Sequence, residues 1–184
     1  MWLLAFSLIL RSGEAASRRT LLQNIALAFF IRTHDFPMTP DALWTAYCTA
    51  TGHSGSPRGT DWFGDDPVMA DTLLALVMDG TKRATCGLAR DYADEPLPAR
   101  GDHWIITDGA RVPRCIIRTT RVELVPIREV TPEFAAIEGE GDGSLDYWKR
   151  EHDAFFTRQA AREGFSYSDA MIGVCEQFEC VWPK

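Results

Sequence analysis

Apolar positions recur with two different periods along the chain. Over residues 40–51, Leu43, Trp44, Ala46 and Tyr47 fall at helical spacing and predict a short amphipathic helix. Thr39-Pro40-Asp41 supplies an N-cap, a proline for the first helical position and an acid for the positive end of the helix dipole. A Gly/Ser/Pro-rich loop runs from Gly52 to Gly59. Asp65-Asp66-Pro67 opens a second helix, with Met69, Leu73, Leu76 and Val77 on one stripe and Gly80 as its stop. Residues 91–98 form another loop. From Gly101 the pattern turns to strand. His103–Thr107 is strand-like, Asp108-Gly109 is a hairpin signal, and Arg114–Val125 is a long strand-like stretch. Residues 138–143 read as a flexible acidic loop. Ser144 then caps a helix that buries Leu145, Trp148, His152, Phe155 and Phe156. Val174–Trp182 closes the chain as a strand, with Val174, Phe178, Cys180 and Trp182 on one face and Glu176 interrupting it.

Two or three helices and about five strands in this order do not fit regular βαβ repetition. They predict an α+β domain built around a small, partly closed β-barrel. Its start falls at or near Met38, so the expected domain spans residues 38–184. Residues 1–37 are expected to be an extension outside the fold, the other reading being an export signal or membrane-associated segment. The apolar runs at 3–10 and 24–31 are too short to span a membrane. Four arginines, one Glu and one Asp give the extension a charge of +2, which leaves -9 of the total -7 on the rest.

That acidic balance argues against a surface built to track long nucleic-acid backbones. It leaves room for a single nucleoside or a small local basic site. The 5 cysteines lack a paired spacing and fit reduced thiols in a cytoplasmic protein. No Gly-rich nucleotide loop, metal cluster or flavin motif is present, so no cofactor is expected. The oligomeric state is open.

Gly80-Thr81-Lys82-Arg83-Ala84-Thr85 carries the candidate chemistry. A desolvated lysine beside a hydroxyl can act as a base once its pKa falls toward neutrality. In a regular strand, Lys82 and Thr85 would point to opposite faces, so joint action requires a bend after Gly80. A lysine that stays charged would instead grip a phosphate or an oxyanion.

Trp62-Phe63-Gly64, Met69-Ala70-Asp71, the Gly-x-Lys-x-x-Thr motif, Gly101-Asp102, Glu138-Gly139-Glu140-Gly141-Asp142, Tyr147-Trp148, His152 and a closing strand at 178–182 occur in this order. Over roughly residues 39–182 the chain resembles the ASCH domain family, part of the PUA-like superfamily. The resemblance implies a β-barrel related to the PUA domains of RNA-modifying enzymes. Small members of the family hydrolyse the acetyl amide of N4-acetylcytidine with a threonine nucleophile, a lysine base and a glutamate. Those roles carry over to Thr85, Lys82 and Glu140, with Glu138 as the second candidate for the glutamate. Other, larger members are ribonucleases or RNA-binding domains. The implied partner is therefore a nucleoside or single-stranded RNA, and a non-enzymatic sensor is a third reading.

Further residues are candidates for holding substrate. Glu138 and Glu140 sit among glycines, where a carboxylate can approach another group closely. Arg83 adjoins the motif lysine. Ser144 caps a helix beside the acidic loop. His152 can line the pocket or act as an acid, and Trp62, Tyr47 and Trp148 offer stacking faces. Arg111, Arg114, Arg118, Arg121 and Arg128 concentrate positive charge. Glu176 is expected to be buried and paired with one of them.

Overall fold

A computed structural model describes residues 38–183. The 1–37 extension named above lies outside the described residues. Among them, nine α-helices and strands follow in chain order: α1 (Pro40–Thr51), β1 (Gly59–Asp61), α2 (Pro67–Met78), β2 (Ala84–Leu88), β3 (His103–Thr107), β4 (Pro113–Pro126), α3 (Pro132–Glu138), α4 (Leu145–Glu163) and β5 (Ile172–Trp182). The five strands form one mixed sheet in the order β1-β3-β4-β5-β2, bent into a half-barrel. Only the β1–β3 pair is parallel. The α+β class and the partly closed barrel expected from the sequence are present, with four α-helices among the described residues rather than two or three.

The fourth helix is α3, which starts just as α1 does. Thr131 accepts a hydrogen bond from the Phe134 amide, and Pro132 takes the first turn. Thr39 and Pro40 do the same for α1, and Asp66 and Pro67 for α2. Glu138 is therefore the last residue of a helix rather than part of a flexible loop. Gly139 ends that helix at φ 71°. A Cβ there would run into the Thr81 carbonyl oxygen, so glycine is required for space as well as for its φ. β1 falls at the end of the segment read as loop.

Helix α1 covers one face of the sheet, packing Leu43, Tyr47 and Ala50 on Ile105, Ile116, Val181 and Trp182. On the other face, Leu74 and Val77 of α2 join Phe63, Ile106, Cys115, Ile117 and Phe178. At the β2 end, α3 and α4 place Phe134, Trp148 and Phe156 against Ala84, Cys86, Leu88 and Cys175. The alternation read for β5 does not hold to its end. Ile116 pairs with Trp182 but Ile117 with Cys180, so a bulge turns Trp182 to the α1 face while Phe178 stays on the α2 face.

Candidate functional site

The motif after α2 makes the bend it needs. Gly80 sits at φ 83°, where a residue with a Cβ is strained. The Lys82 amide then donates back to the Leu76 carbonyl at 2.9 Å, and the Arg83 amide to the Ile137 carbonyl at 3.0 Å. Strand β2 begins only at Ala84, so strand alternation does not govern the pair. Lys82 and Thr85 line the same cavity of about 420 Å³.

Lys82 is 1% exposed. Its ammonium donates to Glu138 Oε1 at 3.0 Å and to Glu140 Oε1 at 2.5 Å, and lies 5.3 Å from the centre of the Phe63 ring. Glu138 is equally buried and fully engaged. Its Oε2 accepts from the Trp148 indole N–H, and His152 Nε2 lies 3.6 Å from its Oε1. Trp148 and His152 stack with ring centres 3.9 Å apart, and His152 Nδ1 donates to the Trp148 carbonyl at 3.0 Å. Glu140 keeps 18% of its side chain accessible. The helix end fixes Glu138 and the turn after Gly139 aims Glu140, so both glutamates considered for one role are used.

The electrostatics select between the two charge states that the sequence left open for Lys82. Burial alone pulls the Lys82 pKa down, but the charges of Glu138 and Glu140 outweigh it and raise the pKa above its ordinary value. Burial pushes Glu138 up, but Lys82, then His152 and the Trp148 N–H, hold its carboxyl well below the usual range. Lys82 is thus a charged ammonium rather than a free base. The cluster of one cation and two carboxylates leaves carboxylate in excess, and Glu140 carries it to the cavity.

Lys82, Thr85, Glu138, Glu140 and His152 meet at the first cavity. Trp62 lines a second, adjoining cavity beneath the Arg111 guanidinium, 3.4 Å from its ring centre. Trp148 stands behind the site and supports it. Ser144 caps α4 through the Tyr147 amide. Tyr47 lies on the opposite face of the sheet, hydrogen-bonded to His103 at 3.0 Å, so it offers no stacking surface here. Arg83 is exposed and lines another pocket, beyond α2, which Lys82 also borders.

Glu176 is buried but pairs with the Thr119 hydroxyl at 2.5 Å rather than with an arginine. Four of the five arginines of the basic concentration reach a carboxylate instead: Arg114 to Asp108, Arg118 to Glu179, Arg121 to Glu123 and Arg128 to Glu129. Helix α4 also contributes Glu151, Phe155, Arg158 and Gln159, which the sequence reading did not select for the site. Glu151, Arg158 and Arg162 recur at helical spacing beside Phe155, and that charged stripe is the available signal. Arg158 and Arg162 both pair with Asp65 at 3.0 Å, tying α4 to the loop that carries Phe63.

The sequence model of the ASCH domain matches residues 59–182, about two thirds of the chain. The chain belongs to the ASCH domain family. Solved structures agree. Protein EF3133 from Enterococcus faecalis V583, described under family model DUF984, is 35% identical with a TM-score of 0.72 and covers 77% of this chain and 86% of its own. An ASCH domain from Lactobacillus crispatus JV V101 is 27% identical with a TM-score of 0.66 and covers 93% and 98%. No curated protein matches the chain. The ASCH domain has a PUA-like fold that is often RNA-related. Among the described residues, no helix is long and apolar enough to cross a membrane.

Proposed function

We propose that this ASCH domain protein hydrolyses an acylated cytosine nucleoside of the N4-acetylcytidine kind. The observation that carries this reading is the buried Lys82 ammonium, clasped by Glu138 and Glu140 at a cavity that Thr85 also lines. A threonine hydroxyl attacks an amide only when a neighbour takes its proton. Charged Lys82 can take that proton only by passing one of its own to Glu140. Thr85 Oγ1 then bonds to the acyl carbon while Lys82 stays cationic beside the developing oxyanion. The C–N bond breaks, the proton leaves Glu140 with the amine, and water hydrolyses the acyl-threonine to a carboxylic acid. Glu138, with both oxygens occupied, positions Lys82.

The runner-up, a ribonuclease or RNA-binding module, needs cations free for phosphate. Lys82 is already satisfied by two carboxylates, and Asp66, Glu138, Glu140 and Glu151 outnumber Lys82 and Arg158 around the cavity. This favours an uncharged substrate.

Incubation with N4-acetylcytidine and chromatographic detection of cytidine tests the proposal. Thr85→Ala is expected to lower turnover by about a thousandfold or more, and Thr85→Ser to retain part of it. No cytidine at stoichiometric enzyme rejects the activity. Turnover that survives Thr85→Ala rejects the assigned nucleophile.

A further inference from the structure

The first cavity, of about 420 Å³, and the adjoining one, of about 480 Å³, each have one arginine in their lining among the described residues: Arg158 in the first and Arg162 in the second. A guanidinium in a cavity wall is well suited to anions, because its planar fork matches phosphate and carboxylate. Here neither fork is free. Asp65 Oδ2 accepts from Arg158 Nε and from Arg162 Nη1, both at 3.0 Å, and Asp65 Oδ1 accepts from Arg158 Nη2 at 3.3 Å. Arg158 and Arg162 stand one turn apart on α4, so a single carboxylate reaches both.

The loop that carries Asp65 is anchored on both sides. Before it, Phe63 is buried and stacks on Phe178 with ring centres 5.6 Å apart, and Gly64 sits at φ 81°, where a Cβ would run into the Met69 side chain. After it, Asp66 caps α2. The hydrogen bond from Arg158 holds the Asp65 carboxyl below the usual range, so it is charged at neutral pH. Neighbouring acids do not take its place. Glu151 pairs with Arg150, Glu163 with Arg90, and Asp66 accepts from the Val68 and Met69 amides. Neither Arg158 nor Arg162 has another carboxylate partner among the described residues. Their side chains are 47% and 53% exposed, so a ligand can reach them. Ion pairs with such exposed cations contribute little to stability, which leaves the control of two cationic groups as what this carboxylate does.

We propose that Asp65 sets the charge selectivity of both cavities. It withholds Arg158 and Arg162 from anionic ligands and so keeps the groove for uncharged ones. The preference for an uncharged ligand rests on the hydrolase reading above, whereas the withholding of the two arginines is tested by binding alone.

Calorimetric titration of the full chain with inorganic phosphate makes that test. Asp65→Asn keeps the shape of the side chain and removes its charge. It is expected to bind phosphate at least about tenfold tighter than the wild type at low salt, with the gain shrinking as the salt rises to about 0.15 M. Asp65→Glu, which keeps a carboxylate, should bind phosphate as the wild type does. Adding Arg158→Gln and Arg162→Gln to Asp65→Asn should abolish the gain. Asp65→Ser serves in place of Asp65→Asn should that variant not fold. A merely structural ion pair would lower the melting temperature and leave phosphate affinity where it was. Unchanged phosphate affinity in the Asp65 variant overturns the proposal, as does a gain that survives the loss of both arginines. Phosphate binding needs no hydrolysis. A gain that the two arginine substitutions remove, without release of cytidine from N4-acetylcytidine, keeps the selectivity role and rejects the hydrolase. Turnover without any such gain keeps the hydrolase and rejects the selectivity role.

Discussion

The two faces of the sheet are built from opposite materials. Under α1 the packing is mainly apolar, with Leu43, Ala50, Ile105, Ile116 and Val181 closed around a Tyr47–His103 hydrogen bond. On the α2 face and toward α4, the described residues bury Lys82, Glu138 and Glu176 and line two adjoining cavities. Apolar side chains in place of a buried ion pair are often neutral or stabilising. The first face shows that this sequence can build such packing. Charges retained on the second face are therefore not explained by stability, and they are what the proposed chemistry requires.

The largest effect that separates the faces comes from Lys82→Met. It leaves Glu138 fully buried without its cation, a change that costs about 3–5 kcal/mol in other proteins. Ile116→Val, in the α1 packing, should cost about 1 kcal/mol. Urea unfolding measures both. Adding Glu138→Gln to Lys82→Met should recover part of the loss, because the uncompensated charge goes with it. If Lys82→Met costs no more than Ile116→Val, Glu138 does not depend on Lys82 for charge compensation in the fold.

Much of this contrast is legible in the sequence, and what is not has identifiable causes. Cap residues and apolar periods place α1, α2, α4 and the long strands, because those signals are local. The same Thr-Pro signal at Thr131-Pro132 opens α3, but the seven-residue helix is too short to show a period beside the glycine-rich run that follows. That omission moved Glu138 from a buried helix end to a loop. Lys82 and Thr85 stand out by type and spacing, whereas the charge state of Lys82 depends on two carboxylates more than fifty residues away. Tyr47 and Trp62 look alike as aromatics, and only the topology sends them to opposite sides of the sheet. Gln159 carries no sequence signal at all. Its place in the wall of the second cavity follows from the fold alone.

Acid should separate the faces next. Glu138 has a lowered pKa in the fold, so its contribution is present above its ordinary value of 4.5 and is lost as the pH falls through the folded value. His103 has a pKa lowered first by burial, then by His53. The unfolded chain therefore binds the proton more readily, and stability starts to fall as pH drops below about 6.5. Denaturation midpoints from pH 8 to pH 3 should show a shallow early loss from the α1 face and a steeper one below about pH 4.5 from the cluster. Glu138→Gln should flatten the second limb and leave the first. If it flattens the first limb instead, the assignment of limbs to faces is reversed.

The smallest effect is the sharpest on function. Tyr47 and His103 make a buried hydrogen bond at 3.0 Å, and a neutral ring accepts the hydroxyl at Nε2. Tyr47→Phe removes the donor, keeps the ring and leaves that nitrogen unsatisfied, for an expected cost of about 1–2 kcal/mol. Were Tyr47 a stacking platform for a base, the phenyl ring would still stack, so this variant alone would not expose it. Tyr47→Leu removes the aromatic face as well. Because α1 lies across the sheet from both cavities, both variants should lower the melting temperature yet bind cytidine as the wild type does. Weakened binding in Tyr47→Leu alone would mean that the closed face also contributes to recognition, and the division of labour between the faces would fail at that residue.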